Sequence, residues 1–409
     1  MILIPRMAEP GVHLLVASFN HVGIEARVTD TSNNRSLEIG NKFSNGDECL
    51  PARITIGDFM KVLKDQDTNL SKLVLFMPLA DGPCRFGQYA PYLRHVLDEI
   101  GYTQVKILSP STEDGYAGLG KEIATKFMRT AWRGAIVADI LQKLLLSYRP
   151  YEIISNETEG VYNWAVDYMC KEMITSSQLA GKQLNDLRRA LIVCRDKFRR
   201  IKTTTRNKPI VGIVGEIYCR LNTFSNQDTI KVLETLGCEV WLCGFREWVQ
   251  YVNEMELQCL RLKGKLCSWR ALISCLRTYF QGYDEHRLFS VVAADFKDRK
   301  DPHISKVLKG AEPYLPSKGA SGEMVLNVGN VVCLANEGVS GIVDISPFTC
   351  MNGIVSEAMY PRMSKDLGGL PIRNLYFDGT PVDLEGELGV FVEMVKRYQK
   401  MREMKEIKI

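Results

Sequence analysis

A chain of 409 residues, 45% hydrophobic and 24% charged, has room for two or three domains and the make-up of an ordinary globular protein. Its net charge of +4 is too small by itself to argue for nucleic acid or a membrane surface. The opening apolar run, MILIPRMAEPG, is broken by Pro5 and is too short for a signal peptide. The longest apolar stretches, such as LVLFMPLA at 73–80, fall well short of a membrane span, so a cytoplasmic protein is expected.

In chain order, 9–22 reads as a helix stopped by Gly23, and 24–29 alternates like a strand. A polar loop then runs up to Cys49. A helix follows Pro51, a buried strand covers 72–80, a helix covers Gln88–Ile100 and a strand covers 103–110. Residues 118–206 are helical and charge-rich, and TTTRNKP at 203–209 reads as a linker. A second α/β stretch opens with a strand at 209–219. It continues with a helix at 226–236, a strand at 238–245, a helical insertion at 246–288 and a loop, SKGASGEMVLNVGNVVCLANEG. It ends with a strand at 341–350, a helix, a strand at 371–377 and a charged helix. Alternating strands and helices predict parallel sheets. The expected fold is therefore α/β, with two Rossmann-like parallel-sheet units and a helical region between them. The expected domains are 1–117, 118–206 and 207–409.

Twelve cysteines stand out, and in a reducing compartment they are not a disulfide framework. There is no CxxC pair, and the five histidines form no HExxH, which removes the common zinc signatures. Three cysteines are placed alike. Cys84, in LFMPLADGPC, and Cys350, in VDISPFTC, each end an apolar strand that runs through a proline and lead into a helix. Cys49, in GDECLPARITIG, also precedes a helix start. Ligands of open α/β sheets bind at the carboxyl ends of strands, and a helix N-terminus favours thiolate, the form that binds metal. The three are either converging ligands or unrelated thiols. Of the rest, Cys170 and Cys194 read as mid-helix, Cys238, Cys243 and Cys333 as core, and Cys219 as a strand end worth attention. Cys259, Cys267 and Cys275, eight residues apart, are expected to share a buried helical face.

Other candidates are weaker. Arg85 either tunes a site at Cys84 or makes a structural salt bridge. Glu216, at a strand end, either faces a cleft as an acid or base, or caps a helix. Gly319 and Gly322 precede a helix start with Glu323 in its first turn, which suggests a loop beside the site; the GxGxxG fingerprint of a nucleotide site is missing. Asn222, Ser225 and Asn226 are turn and cap types. The basic run 188–208 contains a single aromatic, Phe198; it reads as a solvated helix face or as a dock for an acidic partner. The terminal VKRYQKMREMKEIKI reads as a solvated helix.

The motifs DECLPARITIGDF, DGPCRFGQYAPYLRHVLDEIGY, GEIYCRLNTFSNQDTIKVLETLG and DISPFTCMNGIVSEAMYPRMSKDLGGLPI, in that order, resemble the iron–sulfur proteins related to 2-hydroxyacyl-CoA dehydratases. Within them they resemble most the branch of acyl-CoA dehydratase activase-related proteins. The resemblance covers residues 4–395. It implies that Cys49, Cys84 and Cys350 ligate a [4Fe–4S] cluster, or one half of a double-cubane [8Fe–9S] cluster, lying between the two α/β units. It also implies low-potential reductive chemistry, with the chain as a reductase or dehydratase subunit; the alternative is a non-catalytic electron carrier or cluster scaffold. Arg85, Glu216 and Glu323 would be neighbours of the cluster. The implied partners are an actin-like ATPase activator with its own [4Fe–4S] cluster, and a second, similar subunit in a homodimer or heterodimer. The chain has no GxxxxGK[ST] loop of its own. No nucleic-acid or membrane partner is expected.

Overall fold

The computed structural model describes residues 1–64, 70–80, 82–110, 116–297, 299–317 and 322–406. The chain forms two compact units. The first comprises Met1–Ala138 and Val166–Ala190, the second Asp139–Ala165 and Leu191–Ile409. The helices of 118–206, α5 (Lys121–Tyr148), α6 (Glu157–Thr175) and α7 (Ala180–Phe198), are shared between them. No helix among the described residues is long and apolar enough to cross a membrane.

Unit 1 contains β1 (Ile2–Ile4), α1 (Gly11–His21), β2 (Ala26–Val28), α2 (Asn34–Asn41), α3 (Leu50–Leu63), β3 (Val74–Phe76), α4 (Tyr89–Glu99) and β4 (Lys106–Leu108). The four strands form an all-parallel sheet in the order β2-β1-β3-β4. Side chains alternate across it. Leu3 and Leu75 pack with Phe59, Leu93 and Leu97 on one face. Ile2, Ile4 and Phe76 pack with Phe19 and Phe127 on the other. Two elements differ from the sequence reading. The MILI segment is the central strand, although three residues ended by Pro5 are too few to show a period. Inside the expected polar loop lies α2, started by a capping box in which Asn33 and Ser36 satisfy each other's backbone N–H.

Helix α2 lies so close to α3 that only glycine fits at the contact. A Cβ on Gly57 would stand 1.7 Å from the Ser36 carbonyl oxygen, and one on Gly40 1.9 Å from that of Arg53. A buried polar network joins the helices: Arg133 donates to the Ala180 carbonyl (2.8 Å) and to Gln183 (2.6 Å), and the Gln183 amide reaches His21 (3.0 Å).

Unit 2 contains β5 (Ile210–Gly215), α8 (Ile217–Leu221), α9 (Thr229–Thr235), β6 (Glu239–Leu242), α10 (Arg246–Leu262), α11 (Trp269–Phe289), α12 (Ile304–Ala311), α13 (Met324–Asn336), β7 (Gly341–Pro347), α14 (Met351–Asp366), β8 (Ile372–Phe377) and α15 (Leu384–Glu406). Its sheet is again all parallel, in the order β6-β5-β7-β8, the same connectivity as unit 1. Helix α13 begins after Gly322, where a helix start was expected, and runs through the stretch otherwise read as a loop; its Val325, Val328, Val331 and Leu334 are fully buried against the sheet residue Ile342. The strand expected over 209–219 stops at Gly215, and Cys219 lies in α8. The terminal helix is not simply solvated, because Val395 and Tyr398 of α15 are buried. Asp139, from α5, accepts the backbone N–H groups of Phe245 (3.0 Å) and Arg246 (2.9 Å) and so caps α10. Asp301 accepts from Lys143 (2.5 Å), Arg246 (2.9 Å) and Trp241 (3.0 Å), so the charged recess beside β6 is paired within itself.

The α2–α3 contact predicts the effect of a single methyl group. Gly57→Ala forces two backbones apart and should destabilise the protein by about 3 kcal/mol. Gly181→Ala, in α7 with open space around it, should be neutral or stabilising by up to ~1 kcal/mol. Urea unfolding of both variants checks the contrast.

Candidate functional site

Each of the three singled-out cysteines stands at the N-cap of a helix, with extended backbone. Cys49 caps α3 (φ −66°, ψ 156°), Cys84 the 3-10 turn Arg85–Gln88 (φ −68°, ψ 135°) and Cys350 α14 (φ −68°, ψ 122°). The Cys350 sulfur accepts from the backbone N–H groups of Asn352 and Gly353, the N2 and N3 positions of α14. Cys84 follows the third strand of the first sheet and Cys350 the third strand of the second. Their positions in the two units are thus topologically equivalent.

In unit 1 the loops carrying Cys49 and Cys84 are tied together. The Arg85 guanidinium donates to the Asp47 carbonyl at 2.8 Å. Tyr89 contacts the Cys49 sulfur through its hydroxyl at 2.6 Å, and Tyr92 donates to the Phe43 carbonyl. Phe86 packs edge-on against Tyr89, with ring centroids 5.1 Å apart. The turn after Cys84 requires Gly87, because a Cβ there would lie 2.6 Å from the Ala80 carbonyl oxygen. Cys84 is exposed and Cys49 half-buried. The sequence reading missed Tyr89 and Tyr92, whose only signal is their spacing after the cysteine in CRFGQYAPY.

In unit 2 a second group assembles around Cys350. Glu216 caps α8, accepting from the backbone N–H groups of Tyr218 (3.1 Å) and Cys219 (2.8 Å), while the Cys219 thiol, itself fully buried, also donates to it. The capping alternative for Glu216 is therefore what the backbone shows. Glu323 accepts from the Ile217 N–H, so both carboxylates converge on the start of α8. Glu323 stands at the N-cap of α13, one position before the first turn the sequence suggested, and Gly319 lies outside the described residues. The segment at Gly322 is held by the Tyr251 hydroxyl donating to its carbonyl (3.1 Å) and by Asn352 accepting from the Met324 N–H (3.4 Å).

Electrostatics follow from this crowding. Glu323 is pushed up to about 8 by burial and then by the Glu216 carboxylate, and burial raises Glu216 as well. The Cys350 thiol is pushed up to about 12, first by burial and then by Glu216; the N–H groups of Gly353 and Asn352 pull the other way. All three keep partial solvent exposure, and Cys350 is collared by exposed Phe348, Met351 and Ile354. Arg220, fully buried behind the pair, donates to Glu247 at 3.1 Å.

Arg85 belongs to unit 1, and Glu216 and Glu323 belong to unit 2. Among the described residues, no group of three His, Cys, Asp or Glu side chains is arranged to hold a metal ion. The three cysteines nevertheless suit iron in donor type: each is a thiol at a helix start, two on loops tied together in unit 1 and one in unit 2.

Cys259, Cys267 and Cys275 are exposed and share no buried face, because the chain turns at Gly264 (φ +66°) between α10 and α11. Asn222, Ser225 and Asn226 are buried in one turn, with Asn222 accepting from the Ser225 N–H (2.8 Å) and Asn226 donating to the Cys219 carbonyl (2.7 Å). Much of the basic run is engaged within its own unit: Arg195 with Asp196, Arg199 with Asp295 (2.8 Å), Lys197 over Trp164 and Arg206 over Tyr148. No family model matches the chain, and no curated protein matches it.

The strand that leads to Cys350 carries a pH-sensitive carboxyl. Asp344 is fully buried in β7, accepts from Tyr360 (2.5 Å) and Ser346 (2.9 Å), and is raised to about 6, chiefly by burial. The folded state therefore holds this proton more tightly than the unfolded chain, whose carboxyl titrates near 3.8. The stabilisation is complete below about pH 4 and is lost as pH rises through about 6. Wild-type stability should fall by about 3 kcal/mol relative to Asp344→Asn between those limits. Denaturant titrations at pH 4, 5, 6 and 7 check this; parallel pH profiles for the two proteins would refute it.

Proposed function

We propose that this chain is an iron–sulfur protein of the 2-hydroxyacyl-CoA dehydratase kind, with Cys49, Cys84 and Cys350 as ligands of a [4Fe–4S]-type cluster. The observation that carries the reading is the shared placement of the three thiols. Each is at a helix N-cap with extended backbone, and two of them follow the third strand of identically ordered sheets. Ligands of open parallel sheets bind at the carboxyl ends of such strands, and free N–H groups at a helix start stabilise thiolate. A cubane with three protein thiolates keeps one iron open and, when bound, supplies a low-potential electron at a site that substrate can reach.

The chain's own residues have definable tasks around it. Tyr89 sets the direction of the Cys49 sulfur, and Arg85 fixes the Cys84 turn against the loop before Cys49. Glu216 and Glu323 form a carboxyl pair beside Cys350 that can hold a proton. Phe348, Met351 and Ile354 give that end an apolar rim. A protein that only relays electrons needs no proton store, so the carboxyl pair favours a reductive enzyme or enzyme subunit over a carrier or scaffold. The electron would come from a separate ATP-hydrolysing activator, because the chain lacks a phosphate-binding loop of the GxxxxGK[ST] type.

Iron and acid-labile sulfide counting on anaerobically purified protein tests this directly. About four irons per chain are expected for a single cubane. Cys49→Ala, Cys84→Ala and Cys350→Ala should each lose most of the iron, while Cys333→Ala should keep it. An iron-free wild type after anaerobic reconstitution, or full iron in all three variants, would sink the proposal.

A further inference from the structure

The α10–α11 hairpin has its polarity reversed. A surface helix normally turns its apolar stripe towards its own core and its polar side towards water. In α11 the residues buried against the unit are Ala271, Ser274, Asp284 and Leu288, three of them small or charged. Hydrogen bonds hold α10 to α11 on that side: Ser274 to Glu256 (3.1 Å), Asn253 to Gln281 (2.6 Å) and Gln250 to Glu285 (2.6 Å). The outer side carries the large apolar residues. Trp269 is 74% and Tyr279 68% exposed, with Leu272, Ile273, Leu276 and Tyr283 near half. Their spacing of three and four residues is that of a coiled-coil seam, and it runs for about 21 Å along the helix.

We infer that this face of α11 is a dimer interface, covered by the same face of a second copy of this chain packed antiparallel about a twofold axis near Leu276. The six side chains present on the order of 700 Å² of exposed surface. This exceeds the largest apolar patch of a typical monomer and lies within the roughly 600–1,000 Å² per partner that a stable interface buries. The twofold places Trp269 of one copy against Tyr283 of the other and makes the patch self-complementary, as an isologous interface requires. Charge argues against a lipid surface as the occupant. Arg270 and Arg277 share the Glu256 carboxylate, and the other exposed basic residues of the hairpin, Arg261, Lys263 and Lys265, sit together at the Trp269 end, so no basic rim runs along the length of the stripe as anionic headgroups would need. The inference stands on the hairpin alone and does not rest on the cluster reading.

Sedimentation velocity of the full chain, prepared anaerobically, tests it. Wild type should sediment as a dimer at micromolar concentration, and Leu276→Glu and Tyr279→Glu should each raise the dimer dissociation constant at least tenfold. Val390→Glu, on the exposed side of α15, should leave it unchanged. Far-UV circular dichroism verifies that the variants fold; if they do not, the milder Trp269→Ser is measured in their place. Dilution of wild type through its dissociation should also red-shift the tryptophan emission. Iron content should be the same in Leu276→Glu as in wild type, which separates this test from that of the cluster. A wild type that stays monomeric at tens of micromolar overturns the inference, as does a dimer indifferent to the folded variants within the stripe. So does a monomer that floats with phosphatidylcholine–phosphatidylglycerol vesicles through this same stripe.

Discussion

Parallel strand order is the constraint on which the rest depends. In each sheet the second strand pairs on one side of the first and the third strand on the other. The two connections therefore leave in opposite directions, and a crevice opens at the carboxyl ends of the first and third strands. In unit 2 those ends carry Glu216 and Cys350; in unit 1 the third strand leads to Cys84. These candidate residues lie where the backbone cannot close over itself, because their helices start there and expose N–H groups.

Around that edge, placement is enforced by backbone contacts more than by ion pairs. Gly40 and Gly57 let α2 and α3 touch main chain to main chain, which fixes where α3 begins and hence where Cys49 stands. The Tyr251 and Asn352 hydrogen bonds do the same for Glu323 in unit 2. Both arrangements put rigid support behind an ionisable candidate residue.

The α/β alternation and the three helix-start cysteines were legible because long apolar runs, prolines and glycines mark strand ends strongly. What escaped has specific causes. Strand β1 is three residues long and buried on both faces, so no alternation exists to find. The start of helix α13 was expected after Gly322 but its extent was not, because it is rich in Val, Gly and Asn, poor helix formers, and is helical because burial against the sheet outweighs propensity. The Asn33–Ser36 capping box of α2 was present in the sequence but hidden in a polar run. The pairing of Glu216 with Glu323, more than a hundred residues apart, and the contact of Tyr89 with Cys49 are tertiary facts that no local pattern encodes. The Cys259, Cys267 and Cys275 spacing misled because a continuous helix was assumed across the Gly264 turn.

The way the units divide the polypeptide has a practical corollary. Residues 1–138 lack a part of their own unit that returns only at 166–190, where Gln183 waits for Arg133 and His21. No single stop codon can release that half intact: a ribosome finishing at residue 138 leaves the Arg133 guanidinium without the amide and carbonyl that accept from it. Truncation should yield insoluble material, and a separable N-terminal half is obtained only by splicing the later segment back on.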